Sequence, residues 1–383
     1  MTENIKEGQL DMNSSFAEKT ADRFPRLDVD LDAVENNAGV MFRFCASRGI
    51  STAGVIKFSD GAPEIAKAYS EGGCSQIASS RVSHLERIKK ELPDVKTMLI
   101  RIPMISEADD VVKWCDYSLN SEESVLQALD EAAGRAGIIH NVILMQDVGD
   151  RREGIVETKD IVRLAAQVER RMDNLHLAGI GASFACVSGV LPDWSSLNQL
   201  AKSARKIEEK IRRKLEIVSG GSSINLKMLT EHQPMPPEIN HLRIGGAIAN
   251  PIGIRLNRGV KIAGMKEDTF RLTAEVIEAA KKPSVSSGAG KNWAGQTVEF
   301  EDEGTRKRAI IALGSQDIGD AAQLIPDDTN IRVIGGSSDH TVLDVTDCEK
   351  DYAPGDKVTF RMFYMPLLYC FATRHVRINY ISE

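Results

Sequence analysis

The sequence of 383 residues lacks the marks of membrane, secreted, zinc-binding and nucleic-acid-binding proteins. No apolar run approaches the roughly 18–20 residues that a helix needs to cross a bilayer. The opening stretch, MTENIKEGQLDMNSSFAEKTADRF, has no apolar signal-peptide core and reads as a polar arm. Six cysteines (Cys45, Cys74, Cys115, Cys186, Cys348, Cys370) form no CxxC pair and have no histidine at zinc spacing. That excludes a structural zinc site and suits buried or idle thiols in a reducing cytoplasm. Basic charge is short as well: 48 Lys and Arg stand against 55 Asp and Glu, a formal net charge of −7. Nucleic acid or an anionic membrane surface would need a net basic face, so neither is expected as the main partner. Internal repeats and low-complexity segments are also missing.

What is present is a globular composition, 42% hydrophobic and 27% charged. The length suits two domains, or a barrel with an appendage. From Arg26 to about Ile254, short apolar runs alternate with amphipathic stretches. The runs are 53–57, 75–79, 97–101, 115–119, 141–145, 177–181, 215–219 and 241–245. Their length and punctuation predict strands buried on both faces, hence parallel. Segments such as Val82–Glu91, Glu123–Arg135 and Lys159–Arg171 carry apolar residues at three- and four-residue spacing and predict the helices between them. Eight such units predict an α/β fold, a (β/α)8 TIM-like barrel, with an open doubly wound sheet as the alternative. After about Arg255 the pattern turns to extended segments (270–279, 297–300, 307–314, 331–334, 341–345, 357–363) separated by Gly, Pro and Asp turns. The expected organisation is a flexible arm over 1–24, the barrel over 25–254 and a smaller mostly-β C-terminal domain over 255–383.

In a barrel, function gathers where the strands end. Lys57 ends the first run after Ala53-Gly-Val-Ile. It is either a lysine snorkelling to solvent or an amine in an apolar mouth, its pKa lowered for Schiff-base chemistry. The seventh run ends in Val218-Ser-Gly-Gly-Ser-Ser-Ile224, where glycines, N–H groups and the Ser222 and Ser223 hydroxyls make an anion cradle or a plain turn. The eighth supplies Arg243 before Gly245, as a structural ion pair or a group aimed at a cofactor ring. The fifth leads into Gln146–Gly154, where Arg151 and Arg152 are a carboxylate clamp or solvated charges. Amine, phosphate cradle and carboxylate clamp together suit pyridoxal phosphate acting on an amino acid.

On these residues the barrel resembles the alanine racemase superfamily, the fold type III pyridoxal phosphate enzymes. From Phe24 to Phe371 the chain is more particularly similar to bacterial ornithine racemases. The likeness is carried by Val55–Lys57, Leu99–Met104, Ser118–Glu122, Asp147–Gly154, Ile217–Gly221, Leu242–Gly245, Arg306–Gly314, Ser337–His340 and Gly355–Met362. The resemblance implies a cytoplasmic, pyridoxal 5'-phosphate-dependent amino-acid racemase, ornithine or another basic amino acid being the expected substrate, with no metal. Lys57 would hold the cofactor and act as one Cα base. Arg243 would donate to the pyridine nitrogen and keep it unprotonated. Ser222, Ser223 and Tyr364 would bind phosphate, Arg152 would lie near the cofactor oxygen and the substrate carboxylate, and Ser183 and Gly245 would complete the cofactor site. A head-to-tail homodimer is implied, with the loop carrying Asp339 reaching into the partner's site.

The pattern departs from the family at the second base. Where the alanine enzymes carry Ser-Tyr-Gly, this chain has Trp293-Ala294-Gly295, so Asp339, His340, Cys186 or Ser183 must be considered in place of a tyrosine. The ornithine group also carries Asn and Glu where Ser222 and Gly246 stand here. A decarboxylase of the same fold type is the alternative, but its Glu-Pro-Gly-Arg motif and its cysteine-containing acidic loop are missing. A non-racemising pyridoxal phosphate-binding homologue would normally be a single barrel. A threonine-type aldolase would need a metal site that the sequence does not offer.

Overall fold

The computed structural model of the chain describes residues 23–285, 291, 295 and 301–382. They form two compact units, residues 30–269 and the described residues up to Val29 together with Phe270–Ile381. The first strand, β1 (Arg26–Asp30), belongs to the sheet of the second unit. The next eight are β2 (Ser51–Val55), β3 (Gln76–Ser79), β4 (Thr97–Leu99), β5 (Tyr117–Asn120), β6 (His140–Met145), β7 (Leu175–Gly181), β8 (Ile217–Ser222) and β9 (His241–Ile244). They close into a barrel in that order, each parallel to its neighbours. These are the eight apolar runs of the sequence, with ends shifted by no more than three residues.

The barrel closes because its strands have apolar side chains for both faces: β3, β4 and β9 are buried along their whole length. Ala53, Val55, Ala78, Met98, Leu119, Ile143, Met145, Ala178 and Ile217 pack together inside. Large and small residues alternate there, as a tapering interior requires. Between β7 and β8 the backbones approach so closely that a Cβ on Gly179 would lie 2.0 Å from the Ile217 carbonyl oxygen. The β6–β7 register slips beside it, at Val142/Ile143.

The helices start and stop where capping chemistry dictates. The Asp30 carboxylate accepts from Ala33 N at 2.7 Å to open the helix Leu31–Ala46, and Asp193 with Ser196 forms a reciprocal box before Trp194–Ile211. Gly137, at φ 67°, ends Glu123–Ala136 in the left-handed conformation.

In the second unit, β10 (Phe270–Pro283), β11 (Thr305–Ile311), β12 (Leu324–Pro326), β13 (Arg332–Gly336), β14 (Thr341–Asp344), β15 (Lys357–Met362) and β16 (Arg377–Ile381) form a sheet with β1. Its order is β12-β15-β10-β11-β14-β13, and β1 pairs with both β10 and β16. Leu272, Ala274, Val276, Ala309, Ile311, Leu343, Val358 and Phe360 alternate along the strands as its buried side. A helix, Tyr364–Ala372, follows β15 and was not expected from the sequence. The extended segment expected at 297–300 lies outside the described residues, as does most of the arm over 1–24.

Candidate active site

Lys57 leaves the barrel just beyond β2, in a 3-10 turn, Lys57–Ser59. The turn is fixed from both sides. Ser59 Oγ donates to the Ile56 carbonyl at 2.9 Å. Asp60 sits at φ 49° and takes hydrogen bonds from His84 Nε2 at 3.0 Å and Arg87 at 3.3 Å. His84 is itself buried and held by Ser79 Oγ at 2.9 Å. Gly61, at φ 73°, lets the chain pass the helix: a Cβ there would meet His84 Cα at 2.6 Å. Lys57 keeps solvent access at the rim, yet the protein around its amine lowers its pKa. Burial is the main cause; Cys186 opposes the shift and the Arg152 guanidinium adds to it.

The loop after β6 presents Arg152 and Glu153. It closes on itself through a bridge between Gln146 and Ile155 and needs Gly154 at φ 119°, where a Cβ would lie 2.5 Å from Asp147 N. Asp147 caps the inner turn by accepting from Gly149 N at 2.8 Å and Arg151 N at 3.2 Å. Asp150 is buried and reaches the loop after β7, accepting from Cys186 N at 3.0 Å, Val187 N at 3.4 Å and Ser188 Oγ at 3.1 Å. Burial alone would raise its pKa, but the donors from Val187, Cys186 and Ser188 outweigh that and hold the carboxyl below its ordinary range. A depressed carboxylate stabilises the fold at neutral pH, and loses that contribution as pH falls through its folded-state value. Asp150→Ala is therefore expected to cost about 1–3 kcal/mol at neutral pH, the cost of stranding three donors. In thermal melts its deficit against wild type should narrow as the pH falls below the ordinary carboxylate range and the wild-type carboxylate is protonated too.

Three strand ends meet around one hydroxyl. Ser183, just beyond β7, donates to Glu153 Oε1 at 2.9 Å and accepts from Arg152 NH2 at 3.2 Å and Arg243 NH2 at 3.3 Å. Glu153 engages Arg152 in a two-point contact, Nε to Oε2 and NH2 to Oε1. Arg243, on β9, is buried. Its NH1 donates to Ser219 Oγ at 2.6 Å and its NH2 also to the Ala182 carbonyl at 2.8 Å. Burial brings its pKa down to about 10; Glu153 raises it and Arg152 lowers it. The group remains a cation at neutral pH. Ser219 Oγ also bonds His241 Nδ1 at 2.9 Å, and burial, then Arg243, lowers the His241 pKa to about 3, so this ring stays neutral.

At the end of β8, Gly221 stands at φ 129°, and the Asn225 side chain holds the turn that follows by accepting from Ser222 N at 2.9 Å and donating to the Gly220 carbonyl at 2.9 Å. Ser223 Oγ accepts from Ala247 N at 3.3 Å, tying this turn to the one after β9. Gly245 must be glycine there, because a Cβ would meet the Val55 carbonyl oxygen at 2.5 Å. Ser222, Ser223 and Gly245 thus share one part of the rim, with polar hydrogens available to an anion.

The structure brings Arg152, Ser183 and Arg243 into direct contact. Lys57 is linked to them electrostatically through Arg152. Asp339, His340 and Tyr364 belong to the second unit. Asp339 accepts from Gln316 Nε2 and from Ser338 Oγ, each at 2.8 Å, in an exposed turn that also holds His340. Tyr364 begins the helix Tyr364–Ala372, and burial raises its pKa. Ala294 lies outside the described residues. Sequence reading passed over Glu153, Ser219, His241 and Asp150; of these only Glu153 carried a local signal, an acid directly beside an arginine in a glycine-flanked loop.

Chemically, the rim offers an amine with lowered pKa, a buried guanidinium and an exposed one. Three of the five Arg243 N–H donors are committed to Ser219, Ala182 and Ser183, which leaves two for a ligand. That donor set fits a pyridine nitrogen beside an aldehyde-reactive lysine.

Known proteins resemble this chain in sequence and in fold. The model of the alanine racemase N-terminal domain matches residues 29–250. The chain is 35% identical to the ornithine racemase of Acetoanaerobium sticklandii over 356 residues, 92% of this chain and 98% of that protein. It is 39% identical to the lysine racemase of Thermotoga maritima over 346 residues, 90% of this chain and 95% of that protein. Among solved structures, the alanine racemase of Streptomyces coelicolor A3(2) shares the fold. It has a TM-score of 0.69 at 16% identity and covers 94% of this chain and 98% of that one.

Proposed function

The chain belongs to the alanine racemase family, and from that premise we propose that it racemises a basic amino acid, ornithine or lysine, with pyridoxal 5'-phosphate. The observation that carries the reading is the convergence of Lys57, Arg152, Ser183 and Arg243 at one barrel rim. The two relatives' names support the substrate class, and neither favours a decarboxylase.

When bound, pyridoxal phosphate supplies an aldehyde that links to amines and a ring that draws electrons from the Cα–H bond. Lys57 would hold it. Because burial lowers the Lys57 pKa, a larger share of its amine is unprotonated near neutral pH, able to bond to the aldehyde and to take a proton at Nζ. Arg243 would donate to the ring nitrogen. A guanidinium does not surrender its proton, so that nitrogen would stay unprotonated and the pull of the ring on the Cα–H electrons would be weaker. Ser222, Ser223, Gly245 and Tyr364 would hold the phosphate, and Arg152 the substrate carboxylate.

Inversion needs a base on each face of Cα. Lys57 serves one, and Asp339 or His340, contributed across a head-to-tail homodimer, is proposed for the other. In that arrangement the barrel binds the cofactor in the cytoplasmic enzyme and the second unit completes the partner's site. The test is a panel of L- and D-amino acids in D2O with the cofactor-loaded protein. Exchange of the Cα hydrogen with loss of optical rotation is expected for ornithine or lysine; no exchange with any amino acid would refute the reading.

A further inference from the structure

Arg152 is the exposed guanidinium of the site, in the loop after β6. An arginine there ordinarily samples many rotamers. Here it does not. Its Nε–H and one N–H of NH2 face the two oxygens of Glu153, and the other N–H of NH2 donates to Ser183 Oγ. Only the NH1 edge is uncommitted among the described residues. Residues adjacent in sequence seldom meet in a two-point contact. This pair does so because Arg151 at φ 57° and Gly154 at φ 119° turn the backbone sharply on either side. Among the described residues Glu153 is also the one carboxylate bonded to Ser183, set between two guanidiniums that share that hydroxyl. Without its charge Arg152 and Arg243 would repel one another across Ser183.

We propose that Glu153 is a positioning residue: it locks Arg152 so that the NH1 edge is presented to the α-carboxylate of the substrate, and thereby sets the preference of the site for an amino acid over the corresponding amine. The inference rests on the reading of this rim as an amino-acid site. It assigns Glu153 no contact with the reacting atoms and no part in recognising the basic side chain. Arg152 supplies the charge; Glu153 and Ser183 supply its direction.

The experiment compares ligands that differ only in the carboxylate. Cofactor-loaded wild type, Glu153→Gln and Glu153→Asp are titrated with L-ornithine and putrescine, and with L-lysine and cadaverine, following the visible absorbance of the cofactor. Glu153→Gln keeps the shape of the side chain and loses the charge. It is expected to bind the amino acids about tenfold more weakly or worse, with diamine affinity within about twofold of wild type. Glu153→Asp should recover part of the loss, and it also serves if the glutamine variant does not fold. Equal losses for amino acids and diamines would overturn the proposal, because Glu153 would then be reading the side-chain ammonium or shaping the mouth generally. No loss for either would also overturn it. Wild type that binds none of the four ligands would refute the functional reading itself, and this inference with it.

Discussion

Lys57→Ala is expected to abolish racemisation, by at least about four orders of magnitude, while leaving the fold intact. Both halves follow from where the side chain sits. Lys57 has solvent access and no hydrogen bond or ion pair among the described residues. The bonds that shape its turn are made by Ser59, Asp60 and His84 instead. Alanine at such a position usually changes stability by no more than about 0.5 kcal/mol. Among the described residues no other lysine bonds to Arg152, Glu153, Ser183 or Arg243, so nothing replaces the lost amine. Gel-filtered variant incubated with pyridoxal phosphate should show wild-type circular dichroism and melting, but none of the visible absorbance of a lysine-linked aldehyde. A variant that retains that absorbance after gel filtration would show that another amine holds the cofactor.

The second large effect is expected at Arg243. Arg243→Gln should lower kcat by about a hundredfold or more, the typical result of removing one preorganised donor from a charge-stabilising site. It should also cost about 1–3 kcal/mol of stability, because Ser219 and the Ala182 carbonyl lose a charged donor while buried. Arg243→Lys separates charge from geometry. Burial already brings the arginine down to about 10. Lysine starts near 10.4 in water against more than 12 for arginine, so the same surroundings would carry it toward the neutral range. The sign is definite: activity of the lysine variant should fall as pH rises through that value, since the donor loses its proton. Wild-type activity should show no such limb from this residue at neutral pH. A lysine variant with the wild-type pH profile would mean that the charge at position 243 is not used.

The barrel was legible in the sequence because each strand carries enough Val, Ile, Leu, Met and Ala to be buried on both faces, and each is bounded by polar punctuation. Lys57, Arg152 and Arg243 stood out as charges where such runs end. Their geometric partners did not. Ser219 and His241 sit inside runs that read as apolar, and only the closed ring sets them beside Arg243. Asp150 looks like a loop residue until the neighbouring loop supplies its donors. In the second unit, β1 reads Arg-Leu-Asp-Val-Asp, five residues with two apolar side chains. Alternation that short is hard to separate from the polar arm before it, and its partner strand lies some 240 residues downstream by the pairing of Val29 with Phe270. Tyr364–Ala372 holds Tyr, Met, Leu, Cys and Phe around most of its circumference. A nine-residue helix so apolar lacks the polar stripe by which periodicity finds helices.

The pairing of β1 with β10 and β16 bears on how this gene can be cut. Residues 26–29 supply Leu27 and Val29, both fully buried, to a sheet otherwise encoded after position 270. The catalytic ring is therefore an insertion within the other unit rather than a module ahead of it. Expression of the carboxyl-terminal segment alone would leave that sheet without an internal strand and would expose the hydrogen-bonding edge of β10 at Phe270–Thr273. A separately foldable version would have to carry the short amino-terminal ribbon back across a designed linker.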